Sequence, residues 1–222
     1  MMILLIFILN TCLISTLMCL NDRLTHHVSL WRQRSFCFHC GHVLAGYDLI
    51  PILATCLTLG RCRYCQYKFG WHYGCLELLG GLIGTWLFFE PRLWVTAMLL
   101  FFMAIEDWAL QRIHANLLLP WLVYLSWVNW AQPQLLIAGI LGLACLFLIY
   151  CRQAMGSGDL PVLLTLALVT SANTLPLMLL LSALLAYSYL RLKNAKSAPF
   201  VPFLLLGWLL SLGIEKAITV AL

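Results

Sequence analysis

The sequence predicts an all-α polytopic membrane protein of about eight transmembrane helices, with a cytoplasmic zinc-binding insert between helices 1 and 2. Hydrophobic residues make up 63% of the 222 residues, charged residues only 9%, and the mean hydropathy is +0.94. A soluble domain needs far more polar surface than this composition provides. Because lipid cannot satisfy backbone polar groups, the long apolar runs are expected to be helices.

Eight apolar runs are candidate membrane spans, although the third and sixth are short for a bilayer that needs roughly 20 residues. They are Ile3 to Leu20, Tyr73 to Phe89, Leu93 to Glu106, Leu117 to Trp130, Leu135 to Tyr150, Leu160 to Thr170, Leu175 to Leu190 and Val201 to Val220. The stretch from Leu160 to Leu190 could also be one long bent helix, or two helices joined by the polar turn at 171–174. We divide the chain into a first helix (1–21), a polar insert (22–72) and a transmembrane core (73–222).

The basic residues favour eight spans over seven and predict the orientation. Cytoplasmic loops of membrane proteins carry the excess of Lys and Arg. With eight spans, Arg92 and Lys216 fall on one side, and the other, cytoplasmic side holds Arg23, Arg32, Arg34, Arg61, Arg63, Lys68, Arg112, Arg152, Arg191, Lys193 and Lys196. The insert is then cytoplasmic and the N-terminus outside. The net charge of +5 is spread over short loops, so we expect no nucleic-acid partner.

The N-terminal apolar run is expected to remain as the first helix. It has no basic residue ahead of it, and no small-residue cleavage site follows, so it does not resemble a secretory signal.

Two CxxC pairs lie in the polar insert, about 20 residues apart, in the strings CFHCGH and CRYC. Cys37, Cys40, Cys62 and Cys65 can surround one ion tetrahedrally, and four thiolates favour a structural zinc with no open coordination position. Gly41 suits the tight turn after the first pair because glycine tolerates positive φ. Free or redox-active thiols are the alternative. His39 and His42 are further ligand candidates and otherwise surface residues.

Two aspartates, Asp107 and Asp159, are candidates for catalysis. Asp107 ends the third span and Asp159 ends the string Gly156-Ser157-Gly158-Asp159 and opens the sixth. With eight spans both lie at the cytoplasmic edge, where they could face each other. Carboxylates at membrane depth are costly and mark functional sites. Two facing carboxyl groups share a proton and can activate water for peptide hydrolysis. Gly156 and Gly158 lack Cβ atoms and would let an extended substrate approach the backbone.

Each acidic residue also has a plainer interpretation. Asp159 could be an ordinary helix N-cap, and Asp107 could form a salt bridge with Arg112 on the next helical turn. Glu106, directly before Asp107, is a rival for the catalytic position. Glu77 lies within a span, where it could hydrogen-bond internally or support the cleft.

Together these motifs resemble the bacterial type IV prepilin peptidase family, including its competence-type members. The resemblance begins at Ser15 to Leu24 and is strongest over CFHCGHVLAGYDLIPILATCLTLGRCRYCQYKFGWHYGCLELLGG. It continues through AIEDWALQRI around Asp107, GSGD ending at Asp159, and PFVPFLLLG from 199 to 207. It covers nearly the whole chain in the same order.

The resemblance implies an eight-helix aspartyl endopeptidase that removes basic leaders from prepilins and pseudopilins after a glycine, at the cytoplasmic face. It implies that Asp107 and Asp159 are catalytic and that the four cysteines bind zinc. Many members also methylate the new amino terminus with S-adenosylmethionine. This chain departs from the family pattern at three places. It has His114 near the position of the usual proline, and Leu160-Pro161 after the second aspartate, where lysine is common. It has Val201 in the C-terminal element, where glycine is usual.

Two other classes of protein remain as alternatives. The same aspartates could relay ions in a transporter or proton-coupled channel. The chain could also be an inactive membrane scaffold whose insert docks a partner. The position of both aspartates at one membrane edge argues against the transporter, and the presence of both argues against the scaffold.

Overall fold

The computed structural model describes residues 1–29, 34–153, 155–194 and 197–221, and the regular structure there is helical apart from two isolated β-bridges. Arg32 and Lys196, which support the predicted orientation, lie outside the described residues. The described α-helices are α1 (Met2–Thr25), α2 (Leu53–Thr58), α3 (His72–Leu87), α4 (Pro91–Leu110), α5 (Leu119–Val128), α6 (Pro133–Tyr150), α7 (Asp159–Val169), α8 (Leu175–Lys193) and α9 (Val201–Ala221). The predicted all-α class is confirmed.

Five helices (α1, α4, α6, α8 and α9) are long and apolar enough to cross a membrane. The other three helices within predicted spans are shorter: α3 has 16 residues, α5 has 10 and α7 has 11. At about 1.5 Å per residue, α5 covers about half of a hydrocarbon core of about 30 Å. The chain is therefore an integral membrane protein, and the count of eight crossings stays a prediction.

The stretch that left two alternatives open forms two separate helices. α7 ends at Val169 and α8 begins at Leu175. In the turn between them, the hydroxyl groups of Ser171 and Thr174 lie 2.7 Å apart. Pro176 follows in the first turn of α8, where the missing N–H of proline costs no helical hydrogen bond.

The chain packs as two compact units, Met1–Met98 and Leu99–Leu222. In the first unit α1 packs along α3, at a small-residue face of α3: a Cβ at Gly80 would lie 2.6 Å from the Ile14 side chain. Buried Asn10 on α1 accepts a hydrogen bond of 2.8 Å from the indole N–H of Trp94. A polar interhelical bond of this kind fixes the register of helices that contain few polar residues.

In the second unit α8 packs against α9, while α7 is surrounded by α5, α6 and the 3₁₀-helix Ala115–Leu118. The apolar side chains of α7 are accordingly buried, with Val162 and Leu166 fully inaccessible. The predicted division at residues 21 and 72 separates parts by function and stays a prediction.

Candidate active site and metal centre

The four cysteines of the insert lie together. The Sγ atoms of Cys37, Cys40, Cys62 and Cys65 are all within 4.8 Å of one another, and those of Cys37 and Cys65 are 3.9 Å apart. Zn–S bonds of about 2.3 Å in a tetrahedron place sulfur atoms about 3.8 Å apart. The donor set and its spacing therefore fit a structural metal ion, and the predicted clustering of the four cysteines is confirmed.

Each CxxC pair lies in a small hairpin stabilised by its own backbone. In the first, the N–H of Gly41 donates to the carbonyl of Cys37 and the N–H of Cys37 to that of His42. In the second, the N–H groups of Gln66 and Cys62 make the equivalent bonds. Gly41 has φ +72°, as its predicted role in a tight turn requires, and Gln66 has φ +58° at the matching position. The two hairpins thus repeat one backbone geometry with different residues.

The four thiols are crowded together but differ in exposure: Cys62 is buried, Cys37 and Cys65 are partly buried, and Cys40 is exposed. The backbone N–H of Tyr67 lowers the pKa of the Cys65 thiol, but desolvation and the three neighbouring thiols together raise it to about 12. A bound cation compensates thiolates that would otherwise repel one another. The arrangement of thiols therefore favours occupation by a metal over four free cysteines.

The polar neighbours of the cluster have structural partners of their own. The ring of His39 stacks on Tyr67, with ring centroids 4.5 Å apart, and is not part of the thiol cluster. The Asp48 carboxylate accepts hydrogen bonds from Arg63 Nε at 3.0 Å and from the Tyr64 hydroxyl at 3.2 Å. Asp48 thus joins the segment between the hairpins to the second CxxC pair.

Asp107 lies in the last turn of α4 and is 8% exposed. Its Oδ2 accepts a hydrogen bond of 2.9 Å from the backbone N–H of Val201, the first residue of α9. The first N–H groups of a helix have no partner within the helix and bind anions well. Asp107 therefore caps α9 from another helix, which orients its carboxyl group. No described contact joins it to Arg112, so the predicted salt bridge is absent from the described residues.

Asp159 is the first residue of α7 and is partly buried. Gly158 occupies the cap position, so the N-cap interpretation of Asp159 is wrong. Asp107 and Asp159 lie close enough to interact electrostatically. Since α5 and α6 lie between α4 and α7 in the chain, the end of α4 and the start of α7 can meet at the same end of this unit.

The two glycines before Asp159 differ in their surroundings. A Cβ at Gly156 would lie 3.4 Å from Oδ2 of Asp159, in ordinary contact. A Cβ at Gly158 would lie 2.9 Å from Cγ1 of Ile113, closer than a real side chain can approach. Gly158 therefore permits close packing within the protein, and a substrate role for either glycine stays a prediction.

The other two acidic candidates are held by the protein itself. Glu106 is fully buried, and both of its oxygens contact His114. Glu77 accepts a 2.6 Å hydrogen bond from the backbone N–H of Ile52, a residue with φ +65° just before α2. Glu106 is thus occupied by a protein partner, and Glu77 supports the insert.

A cavity of about 520 Å³ lies in the first unit, between the end of α1, the insert and the start of α3. Its wall includes the carboxylate of Asp22, which accepts a 2.8 Å hydrogen bond from the Tyr73 hydroxyl, and the rings of Phe38 and Phe69. The sequence did not predict this cavity, because its residues are separated along the chain and form no motif. The same holds for the contact between Asp107 and Val201.

The sequence comparisons match two consecutive segments of the chain. Residues 8–90 match the Bacterial Peptidase A24 N-terminal domain, and residues 94–190 match the Type IV leader peptidase family. A Prepilin leader peptidase/N-methyltransferase of Burkholderia pseudomallei is 30% identical over 216 residues, covering 85% of this chain and 70% of the relative. One of the same name from Bacillus subtilis is 26% identical over 211 residues, covering 85% of both. No solved structure matches the chain significantly.

The two matched segments follow each other along the chain, and the relatives align over most of their length. The similarity therefore includes both the cysteine cluster and the segments that carry the two aspartates. The family resemblance inferred from the motifs is confirmed: the chain belongs to the type IV leader peptidase family and is an enzyme of that family.

Proposed function

We propose that this enzyme is an intramembrane aspartyl endopeptidase that cleaves the basic leader of type IV prepilins and pilin-like proteins after glycine. The observation that carries the proposal is the arrangement of Asp107 in the last turn of α4 and Asp159 at the start of α7, from which the two carboxyl groups interact electrostatically. The chain contains only eight acidic residues. Two carboxyl groups that approach each other in such an apolar chain are energetically costly, and membrane proteins carry such groups mainly where they serve a function.

The proposed mechanism uses the pair as a unit. Like charges at short distance disfavour double ionisation, so Asp107 and Asp159 share one proton at working pH. The ionised member accepts a proton from water as the water attacks the scissile carbonyl carbon. The protonated member then donates to the oxygen on which negative charge develops. Gly156 has no Cβ beside the Asp159 carboxyl group, so a substrate backbone could approach that group closely.

The proposed membrane face follows from charge and substrate. The excess of Lys and Arg in the loops supports a cytoplasmic position for the insert and the aspartates, with the N-terminus on the outer side of the inner membrane. A prepilin has a basic leader followed by a hydrophobic helix, so its scissile bond lies at the membrane surface. An aspartate pair at the end of α4 and the start of α7 matches that depth.

We also propose that the metal in the insert is zinc and that it is structural. Four thiolates complete a tetrahedral shell and leave no position for a reactive water molecule. Cys37, Cys40, Cys62 and Cys65 would hold the two hairpins together, in a segment that leaves most of its large apolar side chains exposed.

A second proposed activity is methylation of the new amino terminus with S-adenosylmethionine, as the names of the relatives include N-methyltransferase. When bound, this cofactor supplies a methyl group on a sulfonium cation. The cavity of the first unit combines the Asp22 carboxylate with aromatic rings, and both stabilise a cation in an apolar site. Asp22→Asn should then weaken S-adenosylmethionine binding at least about tenfold in a calorimetric titration, with leader cleavage unchanged.

Cleavage of a co-expressed prepilin, followed as a size change on a gel, tests the peptidase. Asp107→Ala and Asp159→Ala should each abolish the shortening while the protein still inserts and accumulates. Glu215→Ala, on α9 away from the pair, is the matched control and should cleave normally. A transporter would leave the substrate size the same in every variant. If either aspartate variant cleaves at the wild-type rate, the proposed mechanism is wrong.

A further inference from the structure

Glu106, the residue directly before Asp107, has no role in the proposed proton transfer, yet it is fully buried. Its Oε2 accepts a 2.9 Å hydrogen bond from the backbone N–H of His114, and its Oε1 contacts ring Nδ1 of the same residue. A buried carboxylate is costly unless it is hydrogen-bonded. Both oxygens thus attach the end of α4 to one residue beyond it.

The segment attached in this way leads from the first aspartate to the second. After α4, Gln111 adopts φ +51°, and its N–H donates to the carbonyl of Asp107 at 2.9 Å. Two residues later, the Ile113 side chain lies against Gly158, where a Cβ would be 2.9 Å away. Gly158 directly precedes Asp159. The 3₁₀-helix that follows His114 packs against α7, which begins with Asp159.

We propose that Glu106 and His114 are positioning residues that set the separation of the two catalytic carboxyl groups. The inference rests on the proposed function. Glu106 fixes His114, which holds Ile113 against Gly158 and so fixes the start of α7 relative to the end of α4. Neither residue needs to touch the substrate. His114 has a side chain that is 61% exposed, so its ring is oriented by Glu106 and not by enclosure in a core.

Three variants test the pair through a double-mutant cycle. Glu106→Leu removes the acceptor. His114→Pro removes both donors, and the φ of −82° at His114 is close to the range that proline adopts. The double variant removes donors and acceptor together, which leaves no buried polar group unpaired.

Each single variant should lower kcat by about 10- to 100-fold with KM within about twofold, because a small displacement of reacting groups is costly. The double variant should recover to within about threefold of the wild-type kcat, since loss of both partners is much less costly than loss of one. A merely structural role would lower accumulation and active fraction without this change in kcat per folded enzyme.

Two milder variants keep the test decisive if a single variant fails to accumulate. His114→Ala keeps the backbone N–H and should lower kcat only about threefold, and Glu106→Gln, which keeps an acceptor, about three- to tenfold. Glu215→Gln serves as the control and should leave both kinetic constants unchanged.

Wild-type kcat in the accumulating single or milder variants overturns the proposal, as does a double variant whose loss equals the product of the two single losses. Asp107→Asn separates this result from failure of the proposed function. An inactive Asp107→Asn beside a fully active Glu106→Leu overturns only the positioning role. A fully active Asp107→Asn overturns the aspartyl mechanism and the positioning role together.

Discussion

The metal-binding insert and the aspartate pair are assembled in opposite ways. In the insert, each pair of ligands belongs to a hairpin whose hydrogen bonds span only a few residues, such as the bond from Gly41 to Cys37. In the second unit, the Asp107 carboxylate is oriented by Val201, 94 residues further along the chain. Asp159 joins it from the start of another helix.

This difference separates stability from activity. Many apolar side chains of the insert, such as those of Phe38, Leu57 and Leu59, are exposed, so a bound metal would supply interactions that hold its two hairpins together. The helices that carry the aspartates pack mainly through apolar side chains, such as Val162 and Leu166 of α7, so exchange of the aspartates should change the reaction far more than the fold. Variants in the two regions should therefore fail in different assays.

Loss of a metal ligand should have the largest effect. Cys62→Ser should release the zinc and lower the unfolding free energy by roughly several kcal/mol, since structural zinc binding contributes about 10 to 16 kcal/mol. Metal content by elemental analysis and the melting temperature in detergent check this result. Cys56→Ser is the matched control, because Cys56 is an exposed free thiol outside the cluster. A Cys62→Ser protein with wild-type stability would refute the structural role of the metal.

A longer side chain at the aspartate pair should have the second-largest effect. Asp159→Glu moves the carboxyl group by about 1.5 Å, one carbon–carbon bond, and should lower kcat about 100-fold. The melting temperature should not fall, because a glutamate in the first turn of a helix is favourable. Cleavage kinetics with purified enzyme measure the effect, with Glu215→Asp as the equivalent change elsewhere. Wild-type kcat for Asp159→Glu would contradict a fixed pair geometry.

The donor to Asp107 should have a smaller effect on the rate. Val201→Pro removes the N–H but keeps the start of α9, since proline is tolerated at the first helical position. We expect about a tenfold lower kcat, because a hydrogen bond to a charged group contributes about 1.5 to 3 kcal/mol, only part of which orients Asp107. Val201→Ala retains the N–H and should react normally. Equal rates for the two variants would show that this contact does not orient Asp107.

The smallest effect is expected at the turn of the second hairpin. Gln66 has φ +58°, whereas the first hairpin has Gly41 at φ +72°. Gln66→Gly should raise the unfolding free energy by about 0.5 to 1 kcal/mol, because glycine adopts this conformation without the penalty of a Cβ. Gly41→Ala should lower it by a similar amount, since open space surrounds Gly41 and only φ opposes the change. Thermal unfolding of the intact zinc-loaded protein measures both variants. A destabilised Gln66→Gly would show that positive φ at the second hairpin turn does not limit stability.

Some features of the fold followed directly from local sequence. The apolar runs predicted the positions of the helices within a few residues, because membrane helices are determined by hydropathy. The spacing of the cysteines predicted their clustering, since each CxxC pair forms its own turn. The lengths of the helices were less predictable: α5 ends at Val128, and a 3₁₀-helix forms the start of the run predicted from Leu117.

Other features depended on side-chain contacts that hydropathy and motif spacing do not indicate. Glu106, Asp107 and Asp159 were all plausible catalytic residues from the sequence, and their partners distinguish them: Glu106 is occupied by His114, while Asp107 and Asp159 lie near each other. Hydropathy and spacing describe neighbours along the chain only.

The sequence by itself determined the membrane class, the helices and the set of four cysteines, because hydropathy and CxxC spacing act over one helix or one turn. Only the tertiary structure decided that Asp107 caps α9, that Glu106 holds His114 and that Ile113 packs against Gly158. The first and third contacts depend on how helices pack, and helix packing depends on side chains that are far apart in the sequence. The contact of Glu106 with His114 depends on the turn after α4, in which Gln111 adopts φ +51°.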